Sequence, residues 1–177
     1  MSGQRLPLSA ERTILSAMVI VGRDAVRAEL ADRLRRAGRG TGSVVLVAGE
    51  AGIGKTTLCE DVLDQADGWR RAWAGCWQAD APALWPWSRL LARLSDDAVL
   101  ESAPTRSAQF AAVVRALRDD RPTLLVLDDV HWADPASLSL LTHVAAEVRA
   151  LPVLVLATYR PDDTGPALAA ELPAQRG

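Results

Sequence analysis

A glycine-rich segment between an apolar run and an amphipathic one constrains this sequence more than any other feature. Residues 49–56 read Gly-Glu-Ala-Gly-Ile-Gly-Lys-Thr and match the pattern G-x-x-x-x-G-K-[ST] at every fixed position. The preceding run, Val44–Ala48, is apolar and rich in β-branched residues, which is typical of a strand covered on both faces. After the segment, Leu58, Val62 and Ala66 recur at helical spacing. The sequence therefore predicts a strand, a tight turn and a helix in direct succession.

A turn of this kind can wrap around a phosphate group. Glycine adopts backbone torsions that a Cβ would block, so the backbone N–H groups can converge on one anion, and the following helix adds its positive end. The charge of Lys55 suits the β- and γ-phosphates, and the Thr56 hydroxyl suits Mg²⁺. A chance glycine-rich turn is the alternative, but the strand and the helix around it argue against that. We predict that ATP or ADP binds with Mg²⁺ through Gly49, Glu50, Ala51, Gly52, Ile53, Gly54, Lys55, Thr56 and Thr57.

Two acidic residues, Asp128 and Asp129, directly follow a second apolar run, Thr123–Leu127. Ligands bind at the carboxyl ends of the strands in open α/β sheets. We predict that Asp128 holds Mg²⁺, directly or through water, and that Asp129 orients or deprotonates an attacking water. A plain surface turn is the alternative. Aspartate is one methylene shorter than the glutamate common at such a position, so we expect hydrolysis to be slow.

Apolar runs alternate with helical patterns along the whole chain. Further strands are predicted at Arg70–Cys76 and Val153–Thr158, and further helices at Val26–Ala37, Trp87–Leu94, Phe110–Leu117 and Leu138–Val148. Asp134 and Pro135 form a favourable cap and first turn for the last of these helices. Strands that alternate with helices predict an α/β fold with a parallel sheet between two helical layers.

Together these segments resemble a known family. Its motifs are matched by Val21-Gly22-Arg23-Asp24, Gly49–Thr57, Trp85-Pro86-Trp87 and Leu127-Asp128-Asp129-Val130-His131-Trp132-Ala133-Asp134. They resemble the ATPase domain of large LuxR-type ATP-binding transcriptional regulators. Those proteins belong to the STAND group of signal-transduction ATPases within the AAA-like class, and a similar domain is joined to adenylate cyclases and protein kinases. The resemblance covers about residues 21–160.

The resemblance implies further site residues. It places Gly22 and Arg23 near the adenine and ribose, and it makes Arg160 a sensor of the γ-phosphate at the end of the last strand. Without the resemblance, Gly22-Arg23-Asp24 could be only the first turn of a helix, and Arg160 could be a solvent-facing loop residue. His131 has no metal partner in the sequence pattern, so we expect a structural or surface role for it.

The resemblance also implies a three-layer P-loop NTPase fold with five parallel strands in the order 5-1-4-3-2 and a helical lid. No β-rich run follows Thr158, so we expect the fifth strand and the lid to be missing. Val44–Ala48 would then be an edge strand, prone to self-association. We divide the chain into an N-terminal segment, 1–20, a P-loop ATPase domain, 21–160, and a truncated tail, 161–177.

The composition limits the partners. The formal net charge is −2, so overall charge attracts neither nucleic acid nor anionic lipid. No secretory signal and no apolar run of about 18 residues is visible. Cys59 and Cys76 show neither metal-ligand spacing nor a disulfide pattern. We expect a cytoplasmic chain without direct contact to nucleic acid or membrane, whose partners are ATP and other domains or subunits of a regulator.

Three functions fit these residues. The favoured one is a regulatory switch that binds ATP and hydrolyses it slowly. A P-loop small-molecule kinase is the second, although a kinase needs a cationic pocket for its other substrate and an arginine-rich lid, whereas the pair Asp128-Asp129 favours water as the acceptor. A nucleotide-binding fragment without catalysis is the third.

Overall fold

The computed structural model describes residues 15–19, 23–76, 80–94, 100 and 103–163. These residues form one parallel sheet with helices on both faces. In these residues the strands are β1 Leu15–Val19, β2 Ser43–Ala48, β3 Arg70–Gly75, β4 Thr123–Asp128 and β5 Val153–Tyr159. The α-helices are α1 Arg23–Gly38, α2 Lys55–Gln65, α3 Trp85–Leu94, α4 Arg106–Leu117 and α5 Pro135–Glu147. Short 3₁₀ helices are formed by Val130–Trp132, Val148–Ala150 and Pro161–Asp163.

The inner strands β2, β4 and β5 are buried along almost their whole length. Because successive side chains of a strand point to opposite faces, each of these strands contributes side chains to two cores, one on each face of the sheet. On one face Val45, Val126 and Leu156 pack with the apolar residues of α1 and α2. On the other face Leu46 and Leu125 pack with those of α3, α4 and α5. The predicted three-layer α/β architecture is confirmed.

The strand order is β1-β2-β5-β4-β3, so the last strand along the chain lies between β2 and β4. Ala48 pairs with Tyr159 across β2 and β5, and Leu127 pairs with Ala157 across β4 and β5. All these pairings are parallel, and so the carboxyl ends of the three strands meet at one edge of the sheet. This edge is where the predicted phosphate and magnesium residues should converge.

The prediction that the sheet lacks a fifth strand, which would leave Val44–Ala48 at its edge, is wrong, because the described residues form a five-stranded sheet. β1 pairs with β2 in parallel, from Leu15 opposite Val44 to Val19 opposite Ala48. The outer neighbour of the P-loop strand therefore comes from the N-terminal segment, where the sequence Leu-Ser-Ala-Met-Val has one β-branched residue and gave no clear strand signal. Residues 164–177 lie outside the described residues, so the truncated tail and the missing lid stay predictions.

The local helix signals are confirmed where the structure tests them. Asp134 caps α5, because its Oδ1 accepts hydrogen bonds from the backbone N–H groups of Ala136 and Ser137, both at 3.0 Å. Pro135 occupies the first turn. Helix α2, which is predicted to follow the glycine-rich turn, begins at Lys55. Among the helices that the structure describes, none combines the length and the hydropathy that a membrane span requires.

Removal of residues 1–20 should expose one edge of β2. The N–H groups of a strand in a parallel sheet point alternately to its two neighbours. Every second amide of Ser43–Ala48 would therefore lose its acceptor on β1, while the others stay bonded to β5. Hydrogen exchange followed by NMR should be faster at alternate β2 amides and unchanged in β4. Unchanged protection along the whole of β2 would contradict the β1–β2 pairing.

Candidate nucleotide-binding site

The loop between β2 and α2 leaves the first turn of α2 without a side-chain cap. Gly54 is the cap residue, with φ 98° and no side-chain hydrogen bond, and no acidic residue occupies the first turn. Gly52 is also left-handed, at φ 75°, a conformation that favours glycine. The Gly49 N–H donates to the Tyr159 carbonyl at 3.2 Å and fixes the start of the loop to β5. The open helix start presents N–H groups and the positive dipole end to an anion.

Lys55 is the only lysine of the 177-residue chain. It is 7% exposed, and its Nζ donates to the carbonyl oxygens of Gly49 at 2.8 Å and Glu50 at 2.9 Å. Burial lowers its pKa below the ordinary value of 10.5, and nearby Arg160 lowers it further, whereas the carboxylates of Asp129, Asp128 and Asp163 raise it. The ammonium group thus lies inside the glycine-rich loop, within electrostatic reach of acids from β4 and of a cation that follows β5.

The Thr158 hydroxyl joins the two predicted acidic residues. It donates to Asp128 Oδ1 at 2.5 Å and accepts from the Asp129 backbone N–H at 2.9 Å. Thr158 is fully buried near the end of β5, so the hydroxyl satisfies both of its hydrogen-bonding functions inside the protein. This role of Thr158 was not predicted, although a hydroxyl near the end of an apolar run is a usable signal. Thr158 ties the end of β4 to β5 and fixes the direction of the Asp128 carboxylate.

Asp129 and Arg160 reach the same edge from different strands. Asp129 has φ 58° and ψ 51°, a left-handed conformation that is uncommon for a residue with a side chain, and it directly precedes the 3₁₀ helix Val130–Trp132. Arg160 follows β5, and its Nη1 lies 3.4 Å from Asp163 Oδ2. Asp163 was not predicted, because nothing in its tail sequence distinguishes it from a surface acid.

The His131 ring lies between two carboxylates. Its side chain is fully buried, with Nδ1 3.9 Å from Asp129 Oδ1 and Nε2 3.8 Å from Asp163 Oδ2. Neither ring nitrogen has a hydrogen-bond partner within the described residues. An unpaired buried polar atom costs on the order of 1–3 kcal/mol. Burial lowers the pKa of His131, as do Arg160 and Lys55, whereas Asp129 and Asp163 raise it.

A hydrogen-bonded network supports the loop behind the acids. Asp134 Oδ2 accepts from the Ser137 hydroxyl at 2.5 Å and from the Leu84 backbone N–H at 3.2 Å. The Trp87 Nε1–H donates to the Ser137 carbonyl at 3.1 Å. Two motifs of the family resemblance are therefore in contact, since the start of α3 is bound to the loop and helix that follow Asp129.

The structure brings most of the predicted site residues to one edge of the sheet. Lys55, Asp128, Asp129 and Arg160 converge there, and Thr56 and Thr57 are exposed on the first turn of α2. Glu50, Ala51 and Gly52 are exposed in the loop, and Ile53 is half-buried. Gly22 lies outside the described residues. Arg23 begins α1 but the position of its side chain is not described, so the adenine contact stays a prediction.

The donor set suits Mg²⁺ held together with a phosphate. The described residues contain no group of three or more histidine, cysteine, aspartate or glutamate side chains arranged for a metal. Mg²⁺ is usually bound by one or two carboxylates, waters and substrate phosphates. Asp128 and the exposed Thr56 hydroxyl, next to an uncapped helix start, fit that shared mode of binding.

Comparison with known families decides the relationship. A model of the family described as AAA ATPase domain matches residues 19–156, which is most of the chain. The chain belongs to this family. The match begins at Val19, the last residue of β1, and includes the glycine-rich loop as well as Asp128 and Asp129. Membership in the AAA ATPase family implies nucleotide binding, usually with Mg²⁺. No curated protein sequence matches the chain.

Three solved structures are similar to this AAA ATPase domain to different degrees. PCH-2 of C. elegans is similar with a TM-score of 0.50 and 19% identity, over 84% of this chain and 40% of that one. A point mutant of Thermotoga maritima RuvB gives 0.48 and 16%, over 86% and 44%. Drosophila ORC bound to DNA gives 0.47 and 11%, over 85% and 89%. The chain spans less than half of the PCH-2 and RuvB chains, and the likeness to PCH-2 supports the fold alone.

The single lysine allows a direct test of the site electrostatics. Protein grown with ¹³C-labelled lysine should give one Cε signal, which titrates at lower pH than the same signal in the unfolded chain because Lys55 is buried. Asp129→Asn should lower this pKa further, since the Asp129 charge raises it. Asp24→Asn, in the first turn of α1, is the control. Equal midpoints in the folded and unfolded protein would contradict the buried position.

His131 should make stability depend on pH. Its pKa is lower in the folded state than the ordinary value of 6.5, so the unfolded state binds more protons in acid. The free energy of unfolding should fall as the pH drops from about 6.5 through the lowered folded pKa. His131→Phe keeps a ring and removes the proton site. As the pH falls over the same range, the free energy of unfolding of this variant, measured by urea titration, should therefore rise relative to that of wild type. His143→Phe, on an exposed part of α5, controls for the loss of a histidine, and a parallel pH course for all three proteins would refute the assignment.

Proposed function

We propose that this AAA ATPase domain is a regulatory switch that binds Mg²⁺–ATP at Gly49–Thr57 and hydrolyses it slowly. The observation that carries the proposal is the convergence of Lys55, Asp128, Asp129 and Arg160 at one edge of the sheet. Phosphoryl transfer to water uses a cation that holds the phosphates, a carboxylate near Mg²⁺ and a group that orients the water. Lys55, Asp128 and Asp129 are the candidates for these three roles. The resemblance to LuxR-type regulators supports the regulatory part.

The two aspartates would divide the chemistry. Asp128, oriented by Thr158, would hold Mg²⁺ with Thr56, and the ion would draw charge from the β- and γ-phosphate oxygens. Asp129 would orient the attacking water and accept its proton while the bond between the γ-phosphorus and the bridging oxygen breaks, with ADP leaving. Lys55 and Arg160 would offset the negative charge on the γ-phosphate. The short Asp129 side chain supports slow turnover.

The fold offers a path by which the site can act on distant elements. Five residues after Asp129, the Asp134 carboxylate holds both the start of α5 and the Leu84 N–H that precedes α3. Leu84 is left-handed, with φ 64°, so this junction has a distinct conformation. A change in the loop between Asp129 and Asp134 would therefore act on the starts of α3 and α5 together. Such a response to the γ-phosphate is what a switch needs.

Substitution of the acids should separate binding from hydrolysis. Asp128→Asn keeps an acceptor for Thr158 but weakens Mg²⁺-dependent ATP binding by about tenfold, because a charged ligand is lost. Asp129→Asn should change ATP affinity by less than about twofold and lower hydrolysis by about a hundredfold. Binding is measured by titration calorimetry with and without Mg²⁺, and hydrolysis by release of labelled γ-phosphate separated on thin layers.

Two further variants make that experiment decisive. Asp120→Asn, near the start of β4 at the opposite edge of the sheet, is the matched control and should behave as wild type. Lys55→Ala should lose the nucleotide-dependent rise in melting temperature, because ligand stabilises the folded state only when it binds there. Equal nucleotide-induced shifts in wild type and Lys55→Ala would sink the assignment. A labelled small molecule in place of free phosphate would identify a kinase instead.

A further inference from the structure

The burial of His131 is not explained by ordinary packing. Its side chain is fully covered, yet both ring nitrogens lack a hydrogen-bond partner among the described residues. Buried polar side chains in folded proteins are nearly always hydrogen-bonded. An apolar ring would fill the same space without leaving two polar atoms unpaired. The presence of two ring nitrogens at this position therefore needs an explanation, whereas the volume of the ring does not.

Each ring nitrogen faces one carboxylate. Nδ1 lies 3.9 Å from Asp129 Oδ1, and Nε2 lies 3.8 Å from Asp163 Oδ2. A hydrogen bond of this type has a length of about 2.7–3.2 Å, so a movement of about 1 Å would form one. The other charged groups that act on the ring are Arg160, which also contacts Asp163, and Lys55 in the glycine-rich loop.

The chemistry of imidazole allows the ring to choose between these acids. An ionised carboxylate only accepts hydrogen bonds, and a neutral imidazole has a single N–H donor. The neutral ring can therefore serve Asp129 through Nδ1 or Asp163 through Nε2, but not both. The tautomer of His131 thus determines which of the two carboxylates the ring can hold.

We propose that His131 is a positioning residue that orients the Asp129 carboxylate through Nδ1, and that Asp163 competes for the same ring through Nε2. This inference rests on the proposed function, because Asp129 is there the group that handles the attacking water. Since Arg160 pairs with Asp163, a γ-phosphate that attracts Arg160 leaves Asp163 free to reorganise around the ring. Arg160 and Asp163, which follow β5, thus act through the His131 ring on Asp129, the candidate base that follows β4.

The first arm of the test needs no hydrolysis. The chain has two histidines, so ¹⁵N spectra of the rings are assigned with a single variant, His143→Gln. Asp129→Ala should shift the His131 tautomer towards Nε2–H, and Asp163→Ala should shift it towards Nδ1–H. Asp162→Ala, in the neighbouring exposed acid, is the matched control and should leave the ring signals unchanged. Ring signals that ignore both Asp129→Ala and Asp163→Ala would overturn the proposal.

The second arm measures the consequence for turnover. His131→Phe should lower kcat for ATP by about 10- to 100-fold and change KM by less than about twofold, because misplacement of the base by about 1 Å affects the reaction and not binding. His131→Asn places an amide N–H on the side of Nδ1 and should restore part of kcat. Wild-type kcat in His131→Phe would overturn the positioning role. If the wild-type protein releases no phosphate, the hydrolytic part of the proposed function fails, and the tautomer shifts alone decide whether His131 links the two acids.

Discussion

Burial of β2, β4 and β5 on both faces is the constraint on which the rest of the structure depends. Strands covered in this way accept apolar side chains almost throughout, so polar chemistry is displaced to their carboxyl ends. Asp128 and Thr158 stand at or near the ends of β4 and β5, and the glycine-rich loop follows β2. Thr158 is tolerated inside the sheet because its hydroxyl both donates and accepts. The two cores therefore define where a site can form as well as holding the layers together.

The charges at this edge are arranged around one ammonium group. Lys55 is bonded to the carbonyl oxygens of Gly49 and Glu50, and a phosphate would have to replace those contacts. The neighbouring carboxylates favour its charged form, whereas burial and Arg160 oppose it. The affinity for nucleotide therefore depends on how much more favourable the contacts of Lys55 with a phosphate are than its contacts with these two carbonyl oxygens. A site built in this way responds strongly to small shifts of the loop.

The sequence was most informative where local chemistry and fold agree. The pattern at 49–56, the apolar run before Asp128 and the cap at Asp134 each report their own local conformation, and the structure confirms those conformations. β1 escaped notice because its stability comes from pairing with β2 and not from its own residues. The contacts of Thr158, His131 and Asp163 depend on which strands become neighbours. No periodicity within a single segment carries that information.

The position of β5 has a consequence for how the chain folds. It is the last of the described strands to be synthesised and the middle one in the sheet, between β2 and β4. Before residues 153–159 emerge from the ribosome, the remaining strands can form only two separate pairs, β1 with β2 and β3 with β4. Both pairs would expose apolar inner edges during that interval, and contacts between residues far apart in sequence form slowly. Closure of the sheet and assembly of the site are then a single late event, in which the insertion of β5 brings Lys55 and Asp128 together.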